Sequence, residues 1–243
     1  MINGKSVLCV IPARGGSVGI KNKNLQKVHE VSLVSWASKL ASSISIIDKV
    51  IVSTDSQEIA DEAQSYGADF LSFRPSELSG ASVHDQQVLI HSLFESESFC
   101  DKEFDVIVML QPTSPLRSRE EVEECLRAVA ENGKSACWTV SEIDLKFHYR
   151  KQLKIGADDA LELAFSGDRV VARQELQKVF MRNGACYVFS RDTLMNDPNL
   201  LGTNCGYLIS NGIRPNIDNI EDLEWCRNIS QVNSATGYLT ERQ

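Results

Sequence analysis

Residues 11–24 read Ile-Pro-Ala-Arg-Gly-Gly-Ser-Val-Gly-Ile-Lys-Asn-Lys-Asn, and they follow directly on the apolar run Val7-Leu8-Cys9-Val10. The run predicts a buried first strand, and the stretch after it predicts a loop at that strand's C-terminal end. Gly15, Gly16 and Gly19 let the backbone take positive φ and approach a ligand closely. Arg14, Lys21 and Lys23 add positive charge. A cationic, glycine-rich loop in that position suits a polyphosphate. The pattern lacks the Gly-Lys-Ser/Thr of a P-loop, and its Gly-Gly-x-x-Gly spacing is not the Gly-x-Gly-x-x-Gly of a dinucleotide site. Glycines alone could make a plain turn. The flanking cations favour a ligand, because a turn needs no arginine.

Working outward, apolar runs alternate with stretches of helical spacing. Leu33, Val34, Trp36, Ala37, Leu40 and Ala41 recur at the helical period. Val50-Ile51-Val52 predicts a second strand, and Ser56 a cap for a helix carrying Ile59, Ala60 and Ala63. Phe70-Leu71 predicts a short third strand, residues 88–94 a helix and residues 106–110 another buried strand. Ser118 would cap a helix whose Glu120, Glu121, Glu123 and Glu124 favour its positive end. Residues 135–140 are strand-like again. This order implies an α/β fold with a mainly parallel sheet and helices on both faces. Continuous apolar strands agree, since such strands are buried on both sides.

The rhythm breaks over residues 141–180, which hold strand-like alternation at 146–155 and no long periodic helix. The expected organisation is therefore a core of residues 1–140 and 181–243, interrupted by a small β-rich subdomain or oligomerisation arm. The core resumes with Ala185-Cys186-Tyr187-Val188-Phe189 and closes with a helix over Ile220–Ile229.

At 243 residues and 42% hydrophobic, the chain can bury one large core. No apolar run approaches the ~20 residues of a membrane span. The residues before the first strand lack a signal peptide's apolar region. Seven cysteines are scattered without a Cys-x-x-Cys pair, which suits reduced core thiols and predicts a cytoplasmic location. A formal net charge of −8 argues against a nucleic-acid partner, so a polyanionic ligand needs a local cationic pocket.

Ligands of open parallel sheets bind beyond the strands' carboxyl ends. The polar residues expected there are the Arg14 loop, Ser53-Thr54-Asp55, Gln111-Pro112-Thr113-Ser114-Pro115-Leu116-Arg117, Arg182-Asn183-Gly184 and Asp218. Each has a plain structural alternative. Asp55 or Asp218 could cap the helix that follows, and Arg117 could pair with Glu120 or Glu121 on the surface. His84, His91 and His148 have no metal-ligand spacing. Trp36, Trp138 and Trp225 sit inside predicted elements and suit the core.

Taken together, the motifs resemble those of the CMP-N-acylneuraminate (sialic acid) synthetase family. They are Ile-Pro-Ala-Arg-Gly-Gly-Ser-x-Gly-Ile-x-x-Lys-Asn at 11–24, Val-Ser-Thr-Asp at 52–55, Leu-Gln-Pro-Thr-Ser-Pro-Leu-Arg at 110–117 and Asn-Gly-Ala-x-Tyr at 183–187. Ile-Asp-x-x-x-Asp-Leu at 217–223 is a weaker fifth. The resemblance implies a Rossmann-like fold of the nucleotidyltransferase type. It implies transfer of CMP from CTP to the anomeric hydroxyl of a nonulosonic acid, with release of pyrophosphate.

By motif position, Ala13, Arg14, Gly15, Gly16 and Ser17 would hold the nucleotide, with Asn24, Asp55 and Arg74 beside it. Arg14, Lys23 and Asp218 would serve catalysis. Gln111, Asn183 and Arg173 would meet the acceptor sugar, Arg173 from within a partner subunit's cleft. Asp218 and Asn216 would bind Mg²⁺, with Mn²⁺ as a substitute. The resemblance also implies a homodimer built through residues 141–180.

Val18 stands where most relatives have lysine, Asn216 where many have aspartate, and Ala81 where an acidic residue is common. One lost charge-assisted contact is worth ~1.5–3 kcal/mol. Two other readings stay open: transfer with another base or acceptor, such as a phosphonate, and a nucleotide-binding protein without catalysis.

Overall fold

A computed structural model describes residues 1–17, 19–165, 174, 176–212 and 214–242. The chain begins with β1 (Val7–Pro12), the short strands β2 (Lys27–Val28) and β3 (Val31–Ser32), α1 (Leu33–Ser43), β4 (Lys49–Ser53) and α2 (Gln57–Gln64). It continues through α3 (Asp85–Cys100), β5 (Val106–Met109), α4 (Arg119–Ala130), β6 (Ala136–Glu142), β7 (Leu153–Ile155) and β8 (Leu161–Leu163). Next come β9 (Phe180–Ser190), α5 (Arg191–Asn196), β10 (Cys205–Ile209), α6 (Ile220–Ile229), β11 (Ser230–Val232) and β12 (Leu239–Glu241).

Six strands form the central sheet in the order β10-β6-β9-β5-β1-β4. β4, β1 and β5 are mutually parallel, as are β10 and β6. Only β9 runs the other way, antiparallel to both β5 and β6. The mainly parallel α/β architecture expected from the sequence is therefore present. The reversal of β9 was not legible, because an apolar run buried on both faces looks the same in either direction.

β1 shows how alternation builds the two halves of the core. Val7, Cys9 and Ile11 face a layer that includes Val34, Ala37, Val122, Cys125 and Leu126 from α1 and α4. Leu8 and Val10 face the opposite layer with Leu89 and Leu93 of α3. A third cluster lies at the ligand edge, where Ile20 and Leu116 pack with Trp36, Ile217, Leu223 and Leu239. It anchors the glycine-rich loop, the 110–117 loop and α6 to one another. All seven cysteines are free, and five of them are buried.

Capping sets the helix starts. Ser32 accepts a bond from the Ser35 N–H, and Ser118 with Glu121 forms a capping box on α4. Ser56 precedes α2 without a side-chain capping bond.

Several expectations need correction. Residues 70–71 form no strand; the backbone meets β4 and the residue after it through isolated bridges of Asp69 to Ile51 and Phe73 to Thr54. Residues 145–151 make two short 3-10 turns rather than a strand. There the Asp144 carboxylate accepts the Lys146 N–H and His148 Nδ1 accepts the Arg150 N–H, local bonds that favour turns. The alternation at 146–155 becomes a strand only in β7, which pairs antiparallel with β8. β10, α5 and the β11–β12 hairpin were not anticipated. Trp225 is 45% exposed and outside the core.

Arg117 is also corrected. It makes no surface pair with Glu120 or Glu121 but lies buried under the sheet edge. Its Nε donates to the Ala185 carbonyl at 2.6 Å and its Nη2 to the Gln111 carbonyl. Burial lowers its pKa to about 10, so the guanidinium stays charged at neutral pH. Glu121 pairs instead with Arg214 at 3.1 Å. Replacing Arg117 with Met takes the guanidinium donor from the buried Ala185 carbonyl and leaves the Gln111 carbonyl with the Ser114 N–H alone, and should lower stability by about 2 kcal/mol. An unchanged urea midpoint for Arg117→Met would contradict this.

Candidate active site

A cleft of about 510 Å³ opens at the C-terminal edge of β1, β4 and β5. Arg14, Ser17, Lys23 and Asn24 line it from the first loop. Arg74, Gln111, Asn216 and Asp218 line it from three other segments. Eight of the residues singled out from sequence thus share one cavity.

The loop that opens the cleft is held from behind. Ala13 is fully buried, and its N–H donates to the Ser53 carbonyl at 2.9 Å. Asp55 accepts the Gly15 N–H at 2.7 Å, so its carboxylate braces the loop instead of capping α2. A Cβ on Gly15 would come within 3.2 Å of the Ser56 Cβ. Arg14 folds back to bond the Gly16 carbonyl. Asn24, buried, donates to the Arg14 carbonyl at 3.0 Å. At the far end a Cβ on Gly19 would lie 2.4 Å from the Asp218 carbonyl oxygen, so the loop closes on the 216–218 segment only with glycine there. Ala13, Gly15, Gly16 and Asp55 shape the loop from outside the cavity lining.

Asp218 reaches into the cleft because Asn219, not Asp218, caps α6 together with Asp222. Its carboxylate, 70% exposed, lies 3.2 Å from Lys23 Nζ. Asn216 Nδ2 donates toward its second oxygen at 3.4 Å. Arg74 is buried and donates through Nε to Ser53 Oγ at 3.1 Å and through Nη2 to the Ser53 carbonyl. Burial lowers its pKa, with Asp55 opposing that shift and Arg14 adding to it.

β9 supplies the floor. Asn183 is buried with its side chain fully engaged: Oδ1 accepts from Thr139 Oγ1 and the Ala185 N–H, and Nδ2 donates to Ser141 and Ser210. It shapes the cleft without lining it. Gly184 has φ +75°, and a Cβ there would meet Ser114 Oγ at 2.5 Å and Gln111 Oε1 at 2.9 Å. The glycine of the Asn-Gly-Ala motif thus leaves room for the side chain of Gln111. Arg173 and Val18 lie outside the described residues.

Sequence reasoning missed one wall. Leu78, Gly80 and Val83, from the segment before α3, and Asp85 and Val88, from its first turn, complete the cleft. The helix begins at Asp85, three residues before the first periodic apolar position, so periodicity gave no sign of it. Val83 and Asp85 also line a second cavity of about 220 Å³, with Trp138, Arg182, Tyr187 and Phe189.

The oxygen donors suit a divalent cation held mainly by a ligand. Asp218 contributes one carboxylate and Asn216 one amide oxygen, and the described residues contain no cluster of three or more His, Cys, Asp or Glu side chains able to bind a metal. Such a pair would suit Mg²⁺, which is commonly bound through one or two carboxylates together with waters and substrate phosphates.

The chain matches the cytidylyltransferase family model over residues 8–229. It is 27% identical over 203 residues to post-translational flagellin modification protein B of Campylobacter coli, covering 84% of this chain and 85% of that protein. It is likewise 27% identical over 219 residues to the CMP-N,N'-diacetyllegionaminic acid synthase of Legionella pneumophila, covering 90% and 93%. Among solved structures, CMP:2-keto-3-deoxy-manno-octonic acid synthetase complexed with CTP superposes with a TM-score of 0.68 at 18% identity, covering 92% of this chain and 97% of that one. That last likeness is one of fold. With the family model spanning nearly the whole chain, and its strand-end motifs converging on one cleft, this chain belongs to the cytidylyltransferase family.

Proposed function

We propose that the chain transfers CMP from CTP to the anomeric hydroxyl of a sialic-acid-like nonulosonic acid, releasing pyrophosphate. The carrying observation is the single cleft that joins the cationic loop to Gln111, Asn216 and Asp218. The name of the Legionella relative, a CMP-N,N'-diacetyllegionaminic acid synthase, supports the acceptor class.

The hydroxyl attacks the α-phosphorus in line with the departing pyrophosphate, so positioning and charge neutralisation do most of the work. Arg14 and Ser17 bind the triphosphate from a loop that Gly15 and Gly16 shape, a task that suits a guanidinium fork. Lys23 leaves Asp218 to neutralise charge near the reacting phosphate. Asn24 fixes the loop, and Arg74 the wall beside the nucleotide. Gln111 addresses the acceptor over Gly184. Mg²⁺, when bound beside Asp218 and Asn216, supplies Lewis-acid charge to the phosphate oxygens. We assign the enzyme to the cytoplasm, where reduced thiols persist; among the described residues no helix is long and apolar enough to cross a membrane.

The working form in this reading is a homodimer. The β7–β8 hairpin exposes Leu153, Ile155 and Leu161, and nearby Phe147 is also exposed, an apolar surface that suits a second copy. Arg173 would then reach the partner's acceptor site.

Purified protein supplied with CTP, Mg²⁺ and a panel of nonulosonic acids should release pyrophosphate with at least one acceptor. No release with any of them, beside a working control enzyme, overturns the reaction. Arg14→Ala and Asp218→Ala should each lower turnover at least tenfold, and wild-type rates in Asp218→Ala would exclude its metal role. Asp55→Ala loosens the loop without touching the nucleotide, so the KM for CTP should rise severalfold while kcat changes less. An equal fall in kcat at unchanged KM would reject the bracing role.

A further inference from the structure

The wall between the two cavities carries chemistry that the reaction above does not use. Asp85 lines both, the larger cleft with Arg74 and the smaller with Arg182. Its carboxylate accepts no hydrogen bond from the described residues, although it is only partly exposed. Burial raises its pKa, while Arg182, Arg74 and His84 pull it down, so the carboxylate sits between cations of both cavities. Arg182 is held in turn, its guanidinium 5.8 Å over the ring of Trp138. Trp138 packs edge-on against Tyr187 at 5.2 Å and Phe189 at 6.5 Å, making an aromatic floor under the smaller cavity. Tyr187 is itself fixed, its hydroxyl accepting the Gly184 N–H at 2.8 Å.

The smaller cavity therefore offers an apolar floor, a guanidinium on one side and an unpartnered carboxylate where it meets the nucleotide cleft. We propose that Asp85 is a specificity-determining residue of the transfer reaction, its carboxylate taking a hydrogen bond from an O–H or N–H group of the acceptor, with Arg182 holding that carboxylate's charge in place. The inference rests on the reaction proposed above. An ionised carboxylate only accepts hydrogen bonds, so an acceptor presenting no donor at that point leaves it desolvated and unpaired. Sites built this way reject the analogue that lacks the donor far more strongly than an apolar pocket rejects a missing methylene.

The test uses the full-length protein and a panel of nonulosonic acids differing at C5, C7, C8 and C9. In Asp85→Asn and Asp85→Ser the acceptor KM should rise at least tenfold for the preferred acid, and the ratio of kcat/KM between best and worst acids should change at least tenfold. The KM for CTP should stay within twofold, and CTP should still raise the melting temperature, which shows an intact fold and nucleotide site. Unchanged acceptor KM and ranking overturn the assignment, as does a CTP KM that rises in step with the acceptor's. A wild-type protein that binds CTP and releases no pyrophosphate with any acid overturns the transfer reaction, and the role of Asp85 with it.

Discussion

The buried guanidinium of Arg117 ties together the two strands that frame the cleft. It bonds the Gln111 carbonyl, just past the end of β5, and the Ala185 carbonyl, inside β9. β9 is the reversed strand, so its first half arrives at the edge where its parallel neighbours end. Without the reversal Asn183 and Gly184 would sit at the opposite end of the sheet. Without the guanidinium, the Ala185 carbonyl would lose its side-chain donor in the interior and the Gln111 carbonyl would keep only the Ser114 N–H, a costly arrangement. Asn183 completes the join by satisfying its own polar atoms within the protein and leaving Gly184 as a gap for Gln111.

A second constraint comes from close backbone approach. The glycine-rich loop is flanked by two close approaches, Gly15 against Ser56, where a side chain would be tight, and Gly19 against the Asp218 backbone, which only a missing side chain allows. Arg14 and Lys23 line the cleft from either side of these contacts, and Asp55 pins the loop's start. The loop is thus shaped before any ligand arrives, which limits the ordering cost of binding.

Much of this was legible in the sequence, for identifiable reasons. Buried parallel strands write themselves as apolar runs, and β1, β4, β5 and β6 all stand where such runs predict. Strand-end position then collected Arg14, Lys23, Gln111 and Asp218, which the fold does bring together. What escaped depended on tertiary context. The plain alternatives were a helix cap for Asp55 and a surface pair for Arg117, whereas both side chains cross to another segment. For Asp218 a helix cap was the plain alternative to the site, and only the Asn219–Asp222 box shows that the cap lies one residue later. Asp85 lies ahead of the apolar period of its helix and so left no periodic signal. β10 has mixed burial and a short span, too weak a pattern to stand out.

The ion pair between Lys23 and Asp218 has a bearing on which anions the free site retains. Lys23 is already partnered, and Arg14 is already turned onto the Gly16 carbonyl. An arriving anion must displace these partners before it gains anything. A solvent-exposed pair of this kind is worth at most ~1 kcal/mol, so the threshold is low. A ligand with several phosphate oxygens engages both cations at once and clears the threshold easily. With its cations thus engaged, the cleft favours an anion of several phosphate oxygens over a singly charged one.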